Sequence, residues 1–308
     1  MCFSLVTHGQ WASGQETPVK PQVSGDSVIR AKSGNSEIVI KTTSRLAGAI
    51  DSLTWNGKQF IDSHDHGRQL QSASNFDVGS KFVAETFNPT EAGSRFDAIG
   101  AATTSKLLEL KAKDNVLVTK SQMAFWLKPG EKSNNTLAKN TTTLSNHLLT
   151  KRVEIGVLGS ENLISYDVTF TVPAGEKHHY AQFEMVTGYM PAEFSSFYTY
   201  DAKTQQFQKL SIGPGEQRKP VVLSTENGSH AMGIYSPDLP APNFEHAGYG
   251  RFSFKYAKVV KWNSVYRIRD HQSGIEPGEY TFRNYVTVGS LEDVRKAMIL
   301  LHQHFSEQ

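Results

Sequence analysis

Cysteine and long apolar runs are nearly missing from this chain of 308 residues. Cys2 is the one cysteine, so no internal disulfide framework is possible and cysteine usage does not indicate the redox compartment. No run of about 18 apolar residues occurs, so no membrane span is expected. The opening MCFSLVTHGQWASGQ is typical of either a trimmed signal remnant or a disordered tail. A secreted or periplasmic location is therefore suspected, with the cytoplasm left open.

A strong excess of charge of one sign is also missing, as are the standard nucleotide and hydrolase motifs. The net charge is +2, and no Lys/Arg cluster is long enough to follow a phosphate backbone, so nucleic acid is not expected as a partner. The sequence has no Gly-rich phosphate loop, GxSxG elbow, CxxC pair or HExxH helix, which removes nucleotide-binding, serine-hydrolase, zinc-finger and zincin functions. No cofactor and no metal site are predicted.

The chain consists mainly of short segments with the sequence pattern of β-strands. Apolar residues make up 38% of it and aromatic residues 10%, and short alternating segments bounded by Gly, Pro, Asn or Asp run from residue 36 onwards without alternating helices. This pattern predicts an all-β fold, with residues 1–30 as a flexible leader and 31–308 as a single domain. The segments predicted as strands are 36–41, 48–55, 58–62, 106–112, 115–127, 148–157, 161–172, 180–189, 196–201, 207–212, 220–225, 230–236, 251–256, 259–269 and 280–288. Residues 87–104 and 128–146 interrupt them, the second as a solvated excursion.

One helix is predicted, at the end of the chain. Ser290 and Asp293 form a capping box, and apolar residues follow at helical spacing from Leu291 to Phe305. We expect this helix to close one edge of a β sandwich, where it would cover unpaired strand groups.

The first cluster of candidate site residues follows a hairpin at Asn56-Gly57. It is dense in ionisable and amide side chains: Asp62, His64, Asp65, His66, Arg68, Gln69 and Gln71. The guanidinium of Arg68 and the amide of Gln71 suit hydroxyl or carboxylate groups, although Arg68 could instead brace its own loop. His64 and His66 could form part of a metal shell, but a hydrogen-bonded turn or a metal-free sugar site is preferred for them.

Two further clusters lie later in the chain. The stretch 176–200 combines histidines, a carboxylate and tyrosines that suit proton transfer and sugar rings, unless the tyrosines simply pack the core. The stretch 229–269 adds His230, the loop pair Glu245-His246, Trp262 and Arg267. Glu91 lies in the irregular stretch 87–104, which is the better candidate for a loop over a site.

Two segments resemble the galactose mutarotase-like superfamily. They are GAIDSLTWNGK, which leads into the Arg68 segment, and IEPGEYTFRNYVTVG, from Ile275 to Gly289. The resemblance implies a large antiparallel β super-sandwich with a short C-terminal helix. It also implies that Arg68 is a substrate arginine and that His178 or His179 is a general acid. The family's glutamate base before the Pro-Gly-Glu turn has no counterpart here, where the nearest upstream glutamate is Glu245.

The sequence therefore predicts a carbohydrate-active enzyme that binds a saccharide on the concave sheet face, either a sugar epimerase or a uronate polysaccharide lyase. The alternative is a non-catalytic carbohydrate-binding protein, and the oligomeric state is left open. The predicted catalytic residues are His179, Glu245, His178, Tyr189 and His230. The predicted substrate-binding residues are His66, Arg68, Gln71, Glu91, Glu184, His246, Trp262 and Arg267.

Overall fold

The computed structural model describes residues 23–239 and 248–306, and these are almost entirely β structure. The strands are β1 Ser27–Ser33, β2 Ser36–Thr42, β3 Ile50–Trp55, β4 Lys58–Gln59, β5 Leu70–Phe76, β6 Pro89–Thr90, β7 Lys106–Lys113, β8 Val116–Phe125, β9 Lys132–Ser133, β10 Thr136–Leu137, β11 Leu144–Val157, β12 Ser160–Val172, β13 Tyr180–Pro191, β14 Ser196–Asp201, β15 Gln206–Lys209, β16 Gly215–Gln217, β17 Val221–Ser224, β18 Ala231–Tyr235, β19 Tyr249–Phe254, β20 Val259–Arg269, β21 Gly278–Phe282 and β22 Tyr285–Gly289. A short 3₁₀ helix spans Arg95–Asp97, and α1 spans Leu291–Ser306.

The strands form two antiparallel layers that enclose one large core. The first layer runs β1-β2-β3-β5-β13-β20-β19-β16. The second runs β7-β8-β11-β12-β22-β18-β17-β14-β15, with β21 also paired to β12. Strand β6 pairs with β5 on one side and β8 on the other, and so joins the layers. The predicted fold class, a large antiparallel β sandwich with a short C-terminal helix, is confirmed.

Apolar side chains from both layers meet in the core because successive residues of a strand point to opposite faces. Phe183 of β13 packs against Phe170 of β12 and Phe282 of β21, with ring centroids 5.0 and 5.4 Å apart. Alternation on either side of a β-bulge between Glu184 and Val186 leaves the remaining residues of β13 to form the opposite face of the first layer. The predicted hairpin is also present: Asn56 and Gly57 both have positive φ, and Trp55 pairs with Lys58.

The C-terminal helix forms with the predicted cap but packs in a different place. Ser290 Oγ accepts the Asp293 backbone N–H at 3.2 Å, and the Asp293 carboxylate accepts the Ser290 N–H at 3.0 Å. The buried side chains of α1 contact strands β12, β14, β17, β18 and β22, with Met298 fully buried. The helix thus covers an outer sheet face and not an edge, because its apolar stripe needs an apolar surface opposite it.

Several boundaries differ from those predicted. Strand β5 was not predicted. Both of its faces are buried and several of its residues are polar, so its sequence does not alternate between apolar and polar residues. Residues 128–146 include the two-stranded sheet of β9 and β10 and the start of β11. The single strand predicted at 280–288 is two, β21 and β22, separated at Arg283 and Asn284. The first strand begins at Ser27, within the range expected for the leader.

Among the described residues, no helix is both long and apolar enough to cross a membrane.

Candidate functional site

A polar groove of about 200 Å³ lies on the face of β5, β13 and β20 that points away from the core. Polar residues alternate there with core residues, as Glu184 does beside Phe183 and Lys261 beside Trp262. Loop residues close one side of the groove. Its lining comprises Gly67, Gln71, Ala73, Asn75, Ala84, Glu85, Asn88, Thr90, Trp126, Gln182, Glu184, Thr187, Tyr189 and Lys261.

A carboxylate and an ammonium group form the centre of this groove. Lys261 Nζ lies 3.4 Å from Glu184 Oε2, and Asn263 Nδ2 donates to Glu184 Oε1 at 3.2 Å. Burial disfavours the charged lysine, but the carboxylate of Glu184 and the hydroxyl of Tyr189 outweigh that cost and raise the pKa of Lys261. The ammonium therefore stays protonated, and it orients the carboxylate beside it.

Tyr189 completes this centre. The Lys261 ammonium lies over the Tyr189 ring, 5.0 Å from its centre. A phenol and a carboxylate thus share one cation in an open groove. This arrangement offers a proton acceptor in Glu184 and a proton donor in Tyr189 to a ligand that reaches both.

Amide side chains surround the centre and are held by their own contacts. Asn75 Oδ1 accepts the Glu85 N–H at 2.9 Å, and Gln182 Oε1 accepts from Arg267 Nε at 2.9 Å. Gln71 Oε1 accepts the Ala92 N–H at 3.1 Å. An amide fixed through its oxygen keeps N–H groups as donors for ligand hydroxyls, although one N–H of Gln71 already donates to Gln69 Oε1 at 3.4 Å.

The aromatic wall of the groove is Trp126, which packs directly over Gly67. A Cβ atom at Gly67 would lie 2.8 Å from the Trp126 ring, so the close approach requires glycine there. The ring supplies a flat apolar surface next to polar groups, which suits the apolar face and hydroxyl rim of a sugar ring.

Four of the predicted site residues lie at this groove. Gln71, Glu184 and Tyr189 line it. Arg267 adjoins it through Gln182 and forms an ion pair with Glu216 at 2.6 Å. The structure thus brings together residues from the first, second and third sequence clusters, while their roles stay predictions.

Arg68 and His66 lie in the loop before β5. Arg68 Nε contacts Asp65 Oδ2 at 3.0 Å, and its guanidinium also contacts Asp62. His66 is buried, and its ring nitrogens face the carbonyl oxygens of Ala98 at 2.7 Å and Arg45 at 3.0 Å. Arg68 thus pairs with carboxylates of its own loop, whereas His66 connects that loop to the segments at Ala98 and Arg45; their predicted contact with a substrate stays a prediction. His64 is exposed, so it does not share a ligand position with His66.

Two other predicted substrate-binding residues lie in the core. Glu91 is fully buried and pairs with Lys151, whose Nζ lies 2.5 Å from Glu91 Oε1. Trp262 is fully buried against Gly188, where an added Cβ would lie 2.6 Å from the ring. Neither side chain lines the groove, since Trp262 packs the interior and Glu91 pairs with a buried lysine; their contact with a ligand stays a prediction.

The predicted histidines are dispersed. His230 contacts Trp55 and Phe60 on another surface and hydrogen-bonds Ser229. His179 is partly exposed, with Nδ1 3.7 Å from Asp77 Oδ2. His178 is buried in a cluster with His147 and Glu176. Glu245 and His246 lie outside the described residues.

Lys261, Asn75, Gln182 and Trp126 were not predicted. Two of them, Gln182 and Lys261, could have been found from the sequence. Each is a polar residue in a strand segment where polar and apolar residues alternate. Polar residues that alternate with core residues on central strands of a sandwich can indicate a ligand face. Asn75 lies on the strand that was missed, and Trp126 reads as a core residue in sequence.

No family model matches the chain. No curated protein matches it either. Among solved structures, the chain is similar to an alpha-mannosidase from Enterococcus faecalis V583, at 13% identity and a TM-score of 0.49 over 90% of this chain and 31% of the other. It is also similar to the Slr1438 protein from Synechocystis sp. PCC 6803, at 6% identity and a TM-score of 0.46 over 89% and 99% of the two chains. A mutant of heparan sulfate lyase HepC from Pedobacter heparinus gives 10% identity and a TM-score of 0.40 over 87% and 35%.

The chain spans about a third of the mannosidase and lyase chains, at 31% and 35% of their lengths. At these identities and TM-scores, the likeness concerns the architecture and carries no activity over to this chain.

Proposed function

We propose that this protein binds a saccharide in the groove of β5, β13 and β20 and transfers protons with Glu184 and Tyr189. The observation that carries the proposal is the convergence of a carboxylate, a phenol and a shared ammonium in an open groove. Amide donors and the flat ring of Trp126 surround that centre, as ring hydroxyls and the apolar face of a sugar require.

The charges of the groove favour a neutral saccharide over a uronate. Among the described residues that line it, Glu85 and Glu184 are acidic and Lys261 is basic, which gives a net charge of −1. The Lys261 ammonium is already paired with Glu184, at 3.4 Å. A ligand carboxylate would meet net repulsion in this groove, whereas sugar hydroxyls would meet donors and acceptors. Of the two reactions predicted from the sequence, epimerisation of an aldose is therefore preferred to elimination from a uronate.

A non-catalytic sugar-binding protein is the second candidate. The observation that favours it is the same pairing, because Lys261 and Asn263 both occupy the Glu184 carboxylate. A carboxylate held in this way can serve as a fixed hydrogen-bond acceptor for a sugar hydroxyl without ever taking a proton.

The experiment compares Glu184→Gln and Tyr189→Phe with Glu193→Gln, a matched control at an exposed ion pair with Lys58. Binding of neutral aldoses, their oligosaccharides and uronate oligosaccharides is measured by calorimetry. Turnover is followed by NMR exchange of anomeric signals and by the ultraviolet absorbance of an unsaturated uronate.

For an aldose epimerase, we expect each groove variant to lose roughly 100-fold or more in kcat/KM while keeping measurable binding, because each removes one proton-transfer group. The control should behave as the unmodified protein. Binding without turnover in the unmodified protein would establish the second candidate. Turnover and saccharide binding that neither groove substitution alters would reject the groove as the site.

A further inference from the structure

A second group of titratable side chains lies outside the groove. His147 Nε2 and His178 Nε2 each lie 2.8 Å from the same oxygen, Glu176 Oε2. Both histidines are about 2% exposed, and the Glu176 side chain is 23% exposed. Two imidazole nitrogens and a carboxylate oxygen thus converge at one point that solvent can approach from the glutamate side.

The ligand atoms are close to the spacing of a metal shell. All three lie within 4.8 Å of one another. Tetrahedral Zn²⁺ with bonds of about 2.0–2.1 Å places its ligand atoms roughly 3.3–3.4 Å apart. To reach that spacing, the carboxylate oxygen would have to move away from each nitrogen by about half an ångström.

The outer nitrogen of His178 provides a second, independent observation. His178 Nδ1 is buried without a hydrogen-bond partner, and the nearest carboxylate oxygen, Asp77 Oδ1, lies 4.0 Å away. If Nε2–H donates to Glu176, a neutral imidazole has a bare lone pair at Nδ1 that faces another carboxylate. A metal on Nε2 would move the proton to Nδ1 and point it at Asp77, which is the usual partner arrangement of a metal-bound histidine.

The surroundings are apolar and rigid. The Phe76 ring lies 4.9 Å from the His147 ring and 4.6 Å from the His178 ring, and Phe87 borders both histidines. His147 is fixed on β11, while Glu176 and His178 belong to the segment between β12 and β13. An apolar shell limits competing water and strengthens the attraction between a cation and a carboxylate.

We propose that His147, Glu176 and His178 bind one Zn²⁺ ion, with Asp77 as the outer partner of His178. Two imidazoles and one carboxylate form a ligand set that zinc accepts, with water at the exposed side as the fourth ligand. The ion would fasten the segment before β13 to β11 beneath Phe87, next to Asn88 of the groove wall. Its role is to hold that wall in place, and it takes no part in proton transfer.

The test uses the full chain purified without a metal column or histidine tag. The protein is dialysed against a chelator and then against buffer, and Zn²⁺ is titrated by calorimetry, with metal content measured by mass spectrometry. Co²⁺ is added to a second sample, because its visible absorption reports the coordination geometry. Glu176→Gln and His147→Gln remove ligands, and Asp77→Asn changes the outer partner. His230→Gln is the control, since its ring contacts Trp55 and Phe60 on another surface.

We expect one Zn²⁺ per chain, a rise of several degrees in the melting temperature with zinc, and a tetrahedral Co²⁺ spectrum. Asp77→Asn should weaken binding roughly 10- to 100-fold. The ligand variants should weaken it further, and His230→Gln should leave it unchanged. Zinc binding by the unmodified chain weaker than micromolar, or equal binding by the ligand variants, would overturn the proposal. The result for the unmodified chain decides the matter even if a ligand variant does not fold.

Discussion

Replacing Lys151 with methionine tests a fully buried ion pair in the interior. Lys151 Nζ lies 2.5 Å from Glu91 Oε1 and donates to the Gly48 carbonyl at 2.8 Å, and both charged side chains are fully buried. Burial lowers the pKa of Lys151, and the Glu91 carboxylate opposes that shift. The pair therefore exists because each charge cancels the other's cost of leaving water.

The expected magnitude follows from what the substitution leaves behind. Methionine fills nearly the same volume, so little cavity forms, but Glu91 becomes an unpaired buried charge, which costs about 3–5 kcal/mol. The Gly48 carbonyl also loses its donor, at about 1 kcal/mol. Adding Glu91→Gln removes the charge and keeps an acceptor for the Ser72 N–H, which Glu91 Oε2 accepts at 3.1 Å. The double variant should therefore lie within about 2 kcal/mol of the unmodified protein.

The assay is urea unfolding at pH 7, followed by tryptophan fluorescence. Lys58→Met is the matched control, because Lys58 pairs with Glu193 at 2.8 Å on the surface, where a pair contributes about 0–1 kcal/mol. A loss below about 1 kcal/mol for Lys151→Met would refute the reasoning. So would a double variant that is as unstable as the sum of its single variants, because that result would mean that the two charges do not depend on each other.

Three further predictions concern other parts of the molecule. Ser290→Ala removes the acceptor for the Asp293 N–H and should cost about 1 kcal/mol in urea unfolding, whereas Ser306→Ala at the far end of α1 should cost less. The Lys219 ammonium and the Thr204 N–H lower the pKa of Asp201 to about 2, so its stabilising effect is present above pH 4 and lost as the pH falls to about 2; acid titration of Asp201→Asn should lack that component. Gly67→Ala should displace the Trp126 ring and raise the saccharide Kd about fivefold with little change in unfolding, and an unchanged Kd would count against the ring as a sugar platform.

The strands and their ends were largely predictable because their signals are local. Alternation marks β2 and β8, where one face is buried and the other is more open. The turn at Asn56-Gly57 and the cap at Ser290 each depend on a few adjacent residues. Strand β5 escaped prediction because it is covered on both faces, by the core on one side and by the groove and its loops on the other. A strand of this kind loses the alternation that would reveal it.

The site was less predictable because it is assembled from distant strands. The many ionisable side chains around Arg68 in the sequence indicated a site there. In the structure, Arg68 forms ion pairs with Asp62 and Asp65, and these pairs hold the loop. The groove instead depends on register, which places Gln71 opposite Thr187 and Tyr189 opposite Lys261. No single stretch of sequence contains that information, since it arises only when three strands pair.

One local irregularity shows how the groove is made. Glu184 and Tyr189 are five positions apart, so in a regular strand their side chains would point to opposite faces. Strand β13 has a β-bulge between Glu184 and Val186 in its pairing with β20, and its register with β5 shifts at the same point. The extra residue lets Met185 and Val186 both enter the core and turns Tyr189 to the side of Glu184. Because strict alternation would have buried one of the two, the bulge is what allows carboxylate and phenol to share Lys261.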